Sequence, residues 1–433
     1  MQKRLRVLVV GGGGREHALV AAIARSPRVE EVLALPGNAG IAEIARCIPG
    51  TVDDLSSIIT VARAERIDLV VVGPEGPLVA GIADALDRAG IAVFGPSRAA
   101  AELEGSKVFA KQFMRRHDLP TAEFEVFDDA DEAERWVRAR GRPMVVKADG
   151  LAAGKGVIVA ADVDETCAAI DSILRRRAFG DAGRRIVIEE RLSGQEVSFH
   201  ALCDGTRFVP LAAAQDHKRI FEGDRGPNTG GMGAYSPPTI VDAALHAQIV
   251  ATVIAPAVAG LAAEGRPFRG ALFAGLMIDA GRIQVLEFNA RFGDPETEVL
   301  LARLDADIVP YLEAAARGAL GALAEAPPPV VPEPAIGVVL AAPGYPESPR
   351  TGGVIRGLAA AAAVAGVTVL HAGTARVDGQ VVSSGGRVLC LTARGSDLEA
   401  AADRVYAALA CIELEGGQFR RDIGARARTA PRT

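Results

Sequence analysis

Val145-Val146-Lys147-Ala148-Asp149-Gly150-Leu151-Ala152-Ala153-Gly154-Lys155-Gly156-Val157 predicts a hairpin in which an apolar strand, Met144–Ala148, returns as Val157–Ala160 through a loop of small residues. The N–H groups and lysines of such a loop can fold over the phosphates of a nucleotide. The spacing is not GxxxxGK[ST], so this is not a P-loop. A merely solvated hairpin is the competing reading. Lys147 weakens it, because an ammonium inside an apolar strand is costly without a partner.

Toward the C-terminus, Ile186–Glu190 and Glu196–Leu202 predict a second hairpin turning at Ser193-Gly194. Within it, Ile188-Glu189-Glu190-Arg191-Leu192 followed by Glu196 has the form of a hinge, offering backbone groups to a base edge and a carboxylate to ribose hydroxyls. Taken singly, these acids read as a solvated strand end. The polar, Gly-rich stretch Gln215–Ser236 predicts a functional loop, with His217 the one site candidate among the six histidines. A helix near Ala243–Ala263 follows, whose apolar part is interrupted by Pro256 and falls short of the roughly 20 residues of a membrane span. Leu272–Ile278 and Arg282–Phe288 then predict a strand pair turning at Asp279-Ala280-Gly281. In a strand, Glu287 and Asn289 share one face while Phe288 points to the core, which presents two hard oxygen ligands suited to Mg²⁺. Arg291 continues that face as a clamp for a carboxylate or phosphate, or else as a structural ion pair.

Toward the N-terminus, strands at Leu5–Val10, Val32–Leu35, Leu69–Val72 and Ala92–Phe94 alternate with helices at Glu16–Arg25 and Leu78–Arg88, the rhythm of an open parallel sheet. Gly11-Gly12-Gly13-Gly14-Arg15-Glu16-His17 lies between strand and helix, where backbone N–H groups can cradle phosphate. The third Gly or Ala of the dinucleotide fingerprint is missing, which favours a mononucleotide or sugar phosphate over NAD; a tight turn with no ligand stays open. Lys107–Arg116 predicts a helix. Ala326–Pro334 holds five prolines in nine residues and reads as a linker. Beyond it, strands at Ile336–Ala341, Val367–Ala372 and Val388–Thr392 and a helix at Leu398–Leu409 predict a small mixed domain. The fold class is therefore α/β and α+β, multidomain. The expected units are a parallel-sheet domain at 1–105, a two-lobed domain at 106–325 with a mobile lobe at about 120–192, the linker 326–334, and the domain 335–433.

Composition narrows the function classes. The 433 residues carry a net charge of −6 with no basic block longer than three, which argues against nonspecific nucleic-acid binding. With 49% hydrophobic and 24% charged residues, disorder on the scale of a domain is excluded. Five scattered cysteines fit a reducing compartment and argue against a disulfide framework or structural zinc. The short basic stretch before Leu5–Val10 imitates a signal peptide, but the apolar run ends in four glycines. A cytoplasmic protein is expected. No GxSxG or Cys/His nucleophile pattern is present.

Taken in order, Gly11–Leu19, Gly73-Pro74-Glu75-Gly76-Pro77-Leu78, Lys147–Val157, Asp216–Ser236 and Leu286–Glu296 closely resemble the glycinamide ribonucleotide synthetase family of ATP-grasp ligases, over essentially the whole chain. Gly-Pro-Glu-Gly-Pro-Leu and Asn-Thr-Gly-Gly-Met-Gly-Ala-Tyr-Ser-Pro are specific to that family. The resemblance implies an ATP-grasp domain in which ATP lies between two lobes, gripped by Lys107, Lys147 and the loop residues Gly150, Gly154, Lys155 and Gly156. Glu189, Glu190 and Leu192 would form the hinge, Glu196 would hold the ribose, and Glu287 and Asn289 would hold Mg²⁺ or Mn²⁺. Gly12, Gly13, Gly14, Arg15, Asn38, Pro74, Glu75 and Gly76 would bind 5-phosphoribosylamine, while Asp216 and Arg291 would orient the amine and the glycine carboxylate. Catalysis would rest on Lys147, Asp216 and Arg291, through glycyl phosphate, in purine biosynthesis. Leu276 and Met277 stand where many ATP-grasp members carry a metal carboxylate, so leaner metal ligation is expected. Glycine, 5-phosphoribosylamine and ATP are the implied small-molecule partners of a monomer that binds neither nucleic acid nor membrane. The alternatives are another ATP-grasp ligase, such as a bicarbonate-using carboxylase, and a nucleotide-sensing protein without turnover.

Overall fold

In the first sheet of the computed structural model, which describes residues 3–152 and 156–428, five parallel strands run in the order Arg46–Cys47, Val29–Pro36, Leu5–Gly11, Leu69–Val72, Ala92–Phe94. Leu5–Gly11 is central and buried on both faces: Leu8 and Val10 enter one apolar cluster, Val7 and Val9 another. That double burial is why its sequence runs continuously apolar instead of alternating. The helix expected at Leu78–Arg88 is two helices, Glu75–Ala80 and Ile82–Arg88, because Gly81 adopts φ +95° and breaks the run.

An antiparallel sheet of Phe124–Phe127, Ile186–Glu190, Met144–Ala148 and Val157–Val159 forms the lobe. A third sheet carries Phe208–Pro210, Gln195–Asp204, Arg269–Asp279 and Arg282–Asn289. The hairpin expected between Ile186–Glu190 and the following strand does not form. Ile186–Glu190 pairs with Met144–Ala148, whereas Gln195–Asp204 pairs with Arg269–Asp279, so residues 191–194 carry the chain from one sheet to the other. A Ser-Gly pair marks a change of direction and leaves the pairing unspecified. Here Gly194 takes φ +130° and lies so close to the third sheet that a Cβ would stand 2.4 Å from the Ile278 carbonyl oxygen.

The C-terminal sheet is antiparallel, in the order Gln215–Asp216, Gly233–Ser236, Ala335–Ala341, Arg387–Arg394, Val367–His371. Its first two strands come from the 215–236 stretch that the sequence presented as a loop. Arg219–Phe221 and Arg225–Asn228 form a small hairpin between them. Gly and Pro in this stretch hide short strands, one of which, Gly233–Ser236, has a partner about a hundred residues away.

Ala243–Ala263 is one continuous 21-residue helix of mean hydropathy 1.7, long and apolar enough by composition to cross a membrane, which corrects the expectation of an interrupted, shorter run. Pro256 lacks an N–H, and the helix passes it through a π turn at Val250–Ile254. Ile249, Val253, Ile254, Ala257, Val258 and Leu261 pack into the core shared with the first and third sheets.

Candidate functional site

A cleft of about 890 Å³ lies where the ends of the parallel strands, the lobe sheet, the third sheet and the C-terminal sheet meet. On the lobe side Lys147 is 5% exposed. Its Nζ lies 2.5 Å from Glu189 Oε1 and donates to the Leu286 carbonyl at 2.9 Å. The other Glu189 oxygen pairs with Lys111, whose ammonium also donates to Thr121 Oγ1 at 2.6 Å. Glu189 is thus no solvated strand end. Burial alone would raise its pKa, but Lys147 and Lys111 together hold it below the usual carboxylate range. Burial pulls Lys111 down to about 8 against the attraction of Glu189. The Leu286 carbonyl is free because the third sheet carries a bulge there: Gly275 faces Glu287 and Leu276 faces Val285, leaving Leu286 unpaired. Asp149 fixes the base of the lobe loop by accepting from Ser106 Oγ at 2.6 Å and Val108 N–H at 2.9 Å, next to Lys107.

Beyond the bulge, Glu287 and Asn289 line the cleft, and Phe288 between them borders it while packing in the core. Burial pushes Glu287 up, yet Lys218, Lys147 and Lys107 outweigh it and keep the carboxyl below its usual range. Neither the Glu287 nor the Asn289 side chain bonds another described residue. An ionised carboxylate and an amide oxygen, both uncommitted, suit a hard divalent cation. Among the described residues no three His, Cys, Asp or Glu gather into a metal-binding group, and the neighbouring strand presents Leu276 and Met277. A cation here would therefore take its remaining oxygens from phosphate and water. Glu287→Ala is expected to raise the divalent-cation concentration for half-maximal activity by about tenfold or more, the cost typical of disturbing a metal's surroundings. An unchanged titration would make the pair structural.

Asp216 and Lys218 project from the start of the 215–236 stretch. Lys218 Nζ lies 2.5 Å from Glu196 Oε2 and 4.0 Å from Asp216 Oδ2. Burial, with Glu296 and Glu196 nearby and Lys218 opposing, pushes Asp216 up to about 7. Burial works against the Lys218 charge, but Asp216, Glu196 and Glu287 hold its pKa well above the usual value. His217 has a structural place: its Nε2 accepts from Gly424 N–H at 3.3 Å, tying the stretch to the C-terminal segment, and burial lowers it to about 4.

Arg291 combines both sequence readings. It lines the cleft, and its Nε lies 3.2 Å from Glu75 Oε2, its Nη2 3.0 Å from Glu104 Oε1. Glu104 also accepts from Ala290 N–H at 2.6 Å, and burial pushes it up to about 7 against the pull of Arg291.

In the N-terminal loop two donors expected for phosphate already meet carboxylates: Gly13 N–H donates to Glu16 Oε2 at 2.6 Å and Arg15 N–H to Asp294 Oδ2 at 3.4 Å. Arg15 Nε pairs with Glu16 Oε1 at 2.5 Å. Asn38 departs from its expected role, because its whole amide is engaged internally. It donates to the Gly12 and His371 carbonyls at 2.9 and 2.7 Å and accepts from Gly40 and Ile41 N–H. Gly12 is required by packing, since a Cβ would stand 2.3 Å from the Gly37 carbonyl oxygen.

Of the residues singled out in the sequence, Gly13, Arg15, Pro74, Glu75, Lys107, Lys147, Gly156, Glu189, Glu190, Leu192, Glu196, Asp216, His217, Glu287, Asn289 and Arg291 line the cleft. Gly12, Gly14, Asn38, Gly76 and Gly150 stand off its wall, and Gly154 and Lys155 lie outside the described residues. Sequence reasoning missed Glu104, Lys111, Lys218 and Glu296, together with Tyr345 and Arg387 of the C-terminal unit. Lys218, two positions from Asp216 in a strand-like stretch, carried a legible signal; the others are brought in only by tertiary packing.

Models of the three domains of phosphoribosylglycinamide synthetase match this chain: the N domain over residues 5–104, the ATP-grasp (A) domain over 105–297 and the C domain over 335–426. The phosphoribosylamine–glycine ligase of Xanthomonas campestris pv. campestris is 52% identical over 98% of both chains, and that of Pseudomonas aeruginosa 50% identical, also over 98% of both. The solved phosphoribosylamine–glycine ligase of Thermotoga maritima superposes with a TM-score of 0.83 at 35% identity, covering 97% of this chain and 100% of that one. A biotin carboxylase of Campylobacter jejuni, at TM-score 0.75 and 16% identity over 98% of this chain and 95% of its own, shares the fold.

Proposed function

This chain belongs to the phosphoribosylglycinamide synthetase family, and we propose from the contents of its cleft how it performs the reaction. It is an ADP-forming carbon–nitrogen ligase that uses ATP to join glycine to 5-phosphoribosylamine, giving glycinamide ribonucleotide in purine biosynthesis. The observation that carries the mechanism is the convergence of Lys107, Lys147 and Lys218 on the Glu287 carboxylate, with Arg291 alongside. Cations set around one acid match a transferring phosphate and its metal.

In this reading the ATP triphosphate lies beside Lys107, Lys147 and Lys218, and the hinge residues Glu190–Leu192 meet the base. Glu196 takes the ribose. Glu287 and Asn289 hold Mg²⁺, or Mn²⁺, which when bound neutralises phosphate charge. Arg291, fixed by Glu75 and Glu104, orients the glycine carboxylate. A carboxylate oxygen attacks the γ-phosphorus and ADP departs, leaving glycyl phosphate. The 5-phosphoribosylamine, seated against the loop at Gly13 and Arg15 and against Pro74 and Glu75, then attacks the acyl carbon. Phosphate leaves with one former glycine oxygen, and Asp216 accepts the proton lost by the amine. No side-chain nucleophile takes part; the protein positions its substrates and balances charge. The five free cysteines fit a reducing compartment such as the cytoplasm.

Glycine labelled with ¹⁸O in its carboxylate tests the order of steps. One labelled oxygen per turnover is expected in inorganic phosphate. Unlabelled phosphate, with the oxygen lost from the carboxylate recovered in solvent water instead, would rule out the acyl phosphate and detach Arg291 from the glycine carboxylate.

A further inference from the structure

Glu298 is 1% exposed, and among the described residues neither of its carboxyl oxygens receives a hydrogen bond from an N–H or O–H donor. A buried carboxylate without donors is among the costliest arrangements in a protein interior. The helix that carries it, Glu296–Arg303, packs against the helix Gly14–Ala24 and the strands Gly233–Ser236, Ala335–Ala341 and Arg387–Arg394. Its surroundings hold Asp294 on its own segment, Arg15 and His17 on the first helix, and Arg387 and Cys390 on the last strand. His17 is committed to the His371 N–H, and Tyr235 of Gly233–Ser236 to Gln215. Ala335–Ala341 has no titratable side chain. Asp294 shares its place against the N-terminal loop: a Cβ on Gly13 would stand 3.3 Å from Asp294 Oδ2 and one on the next residue, Gly14, 2.5 Å from Glu298 Oε1.

Asp294 holds three parts of the molecule together. Its Oδ2 accepts from Arg15 N–H at 3.4 Å in the N-terminal loop, and its Oδ1 lies 3.3 Å from Arg387 Nη2 of the C-terminal sheet. Arg387 also donates to the Asp294 carbonyl at 2.7 Å. The same loop presses directly on Glu298. We propose that Glu298 is a positioning residue: held as the neutral acid, it donates its one proton to the ionised Asp294 carboxylate and so fixes the anchor on which the Gly13–Arg15 loop and Arg387 are set. The charges agree with this division. Burial would raise Asp294, but Arg387 and Arg15 hold it below the usual range, whereas burial and the Asp294 charge beside it drive Glu298 well above. The proposal rests on the reading of that loop as the phosphoribosylamine site.

Glu298→Gln replaces a neutral acid by a neutral donor of the same shape, and linkage makes the outcome directional. In the wild type the folded state keeps a proton that the unfolded chain releases above the ordinary glutamate value of 4.5, so stability falls as pH rises from there toward the raised folded value. Glutamine does not titrate. The Tm of Glu298→Gln is therefore expected to exceed the wild-type Tm by more at pH 8 than at pH 5; a variant that melts below the wild type at pH 8 would show an ionised Glu298 and overturn the proposal. In kinetics, Glu298→Ala should raise KM for phosphoribosylamine roughly tenfold or more, as expected for loss of a hydrogen bond to a charged group. The KM values for ATP and glycine should hold, and Glu298→Gln should restore the first. An unchanged phosphoribosylamine KM in Glu298→Ala overturns the positioning role. A rise confined to the ATP KM, with the melting result intact, instead overturns the assignment of the loop and keeps the proton on Glu298.

Discussion

Lys147→Met is expected to lower kcat by at least about a hundredfold, the scale on which lost charge-stabilising groups act in water-excluded sites. Two geometric facts set this expectation. The Lys147 ammonium reaches the Leu286 carbonyl at the bulge immediately before Glu287, and it is one of the three lysines whose charge acts on Glu287. Lys111, the cation that shares Glu189 with it, is committed to Glu189 and Thr121 and does not take its place. The same geometry predicts a cost in stability, contrary to the picture of a loop lysine projecting into solvent. Removing Lys147 leaves one buried Glu189 oxygen without its partner, worth roughly 1–3 kcal/mol. Lys111→Met supplies the control: it should cost comparable stability and much less turnover. Single-turnover ADP formation beside urea unfolding separates the two effects. Near-native turnover in folded Lys147→Met would remove Lys147 from the chemistry.

The second large effect falls on Arg291. Arg291→Ala should lower kcat/KM for glycine by about a hundredfold or more, since it deletes charge-assisted bonds to a carboxylate and leaves Glu75 and Glu104 facing each other without a shared cation. Arg291→Lys distinguishes the two causes. A lysine keeps the charge between the two acids but cannot match a carboxylate with a planar fork. It should therefore fold like the wild type while its glycine KM stays raised roughly tenfold or more and its ATP KM stays near normal. Recovery of glycine KM with lysine would mean that Arg291 only keeps Glu75 and Glu104 together.

Where pattern depends on neighbours in sequence, these chemistries could be read from the chain. Met144–Ala148, Ile186–Glu190, Lys107–Arg116 and Leu398–Leu409 are bounded in the structure as their apolar spacing and flanking breakers indicate. The shared face of Glu287 and Asn289 follows from strand geometry alone. Pairing was less legible: a Ser-Gly turn reads alike whether the strands on either side join or belong to different sheets. Partners of charge were illegible for the same reason. Glu189 resembles any acid at a strand end until Lys111, 78 positions earlier, and Lys147 close over it. Glu104 lies in an unremarkable helix until folding brings Arg291 to it. Pro256 reads as an interruption, but the helix absorbs it in a π turn because its buried face supplies the stabilisation that the lost hydrogen bond does not.

The sheet shared by Gly233–Ser236 and Ala335–Ala341 also sets an order of events on the ribosome. Gly233–Ser236 emerges about a hundred residues before the strand it pairs with, a wait of roughly 5–20 s at ordinary rates of synthesis. Throughout that interval the edge that will meet Ala335–Ala341 is unpaired, while only the opposite edge can take Gln215–Asp216. The wall of the cleft that carries Asp216 thus waits for the C-terminal sheet before it is complete. A ribosome stall within the Pro-rich stretch before Ala335 would lengthen the exposure of that edge, making it the segment through which unfinished chains join one another.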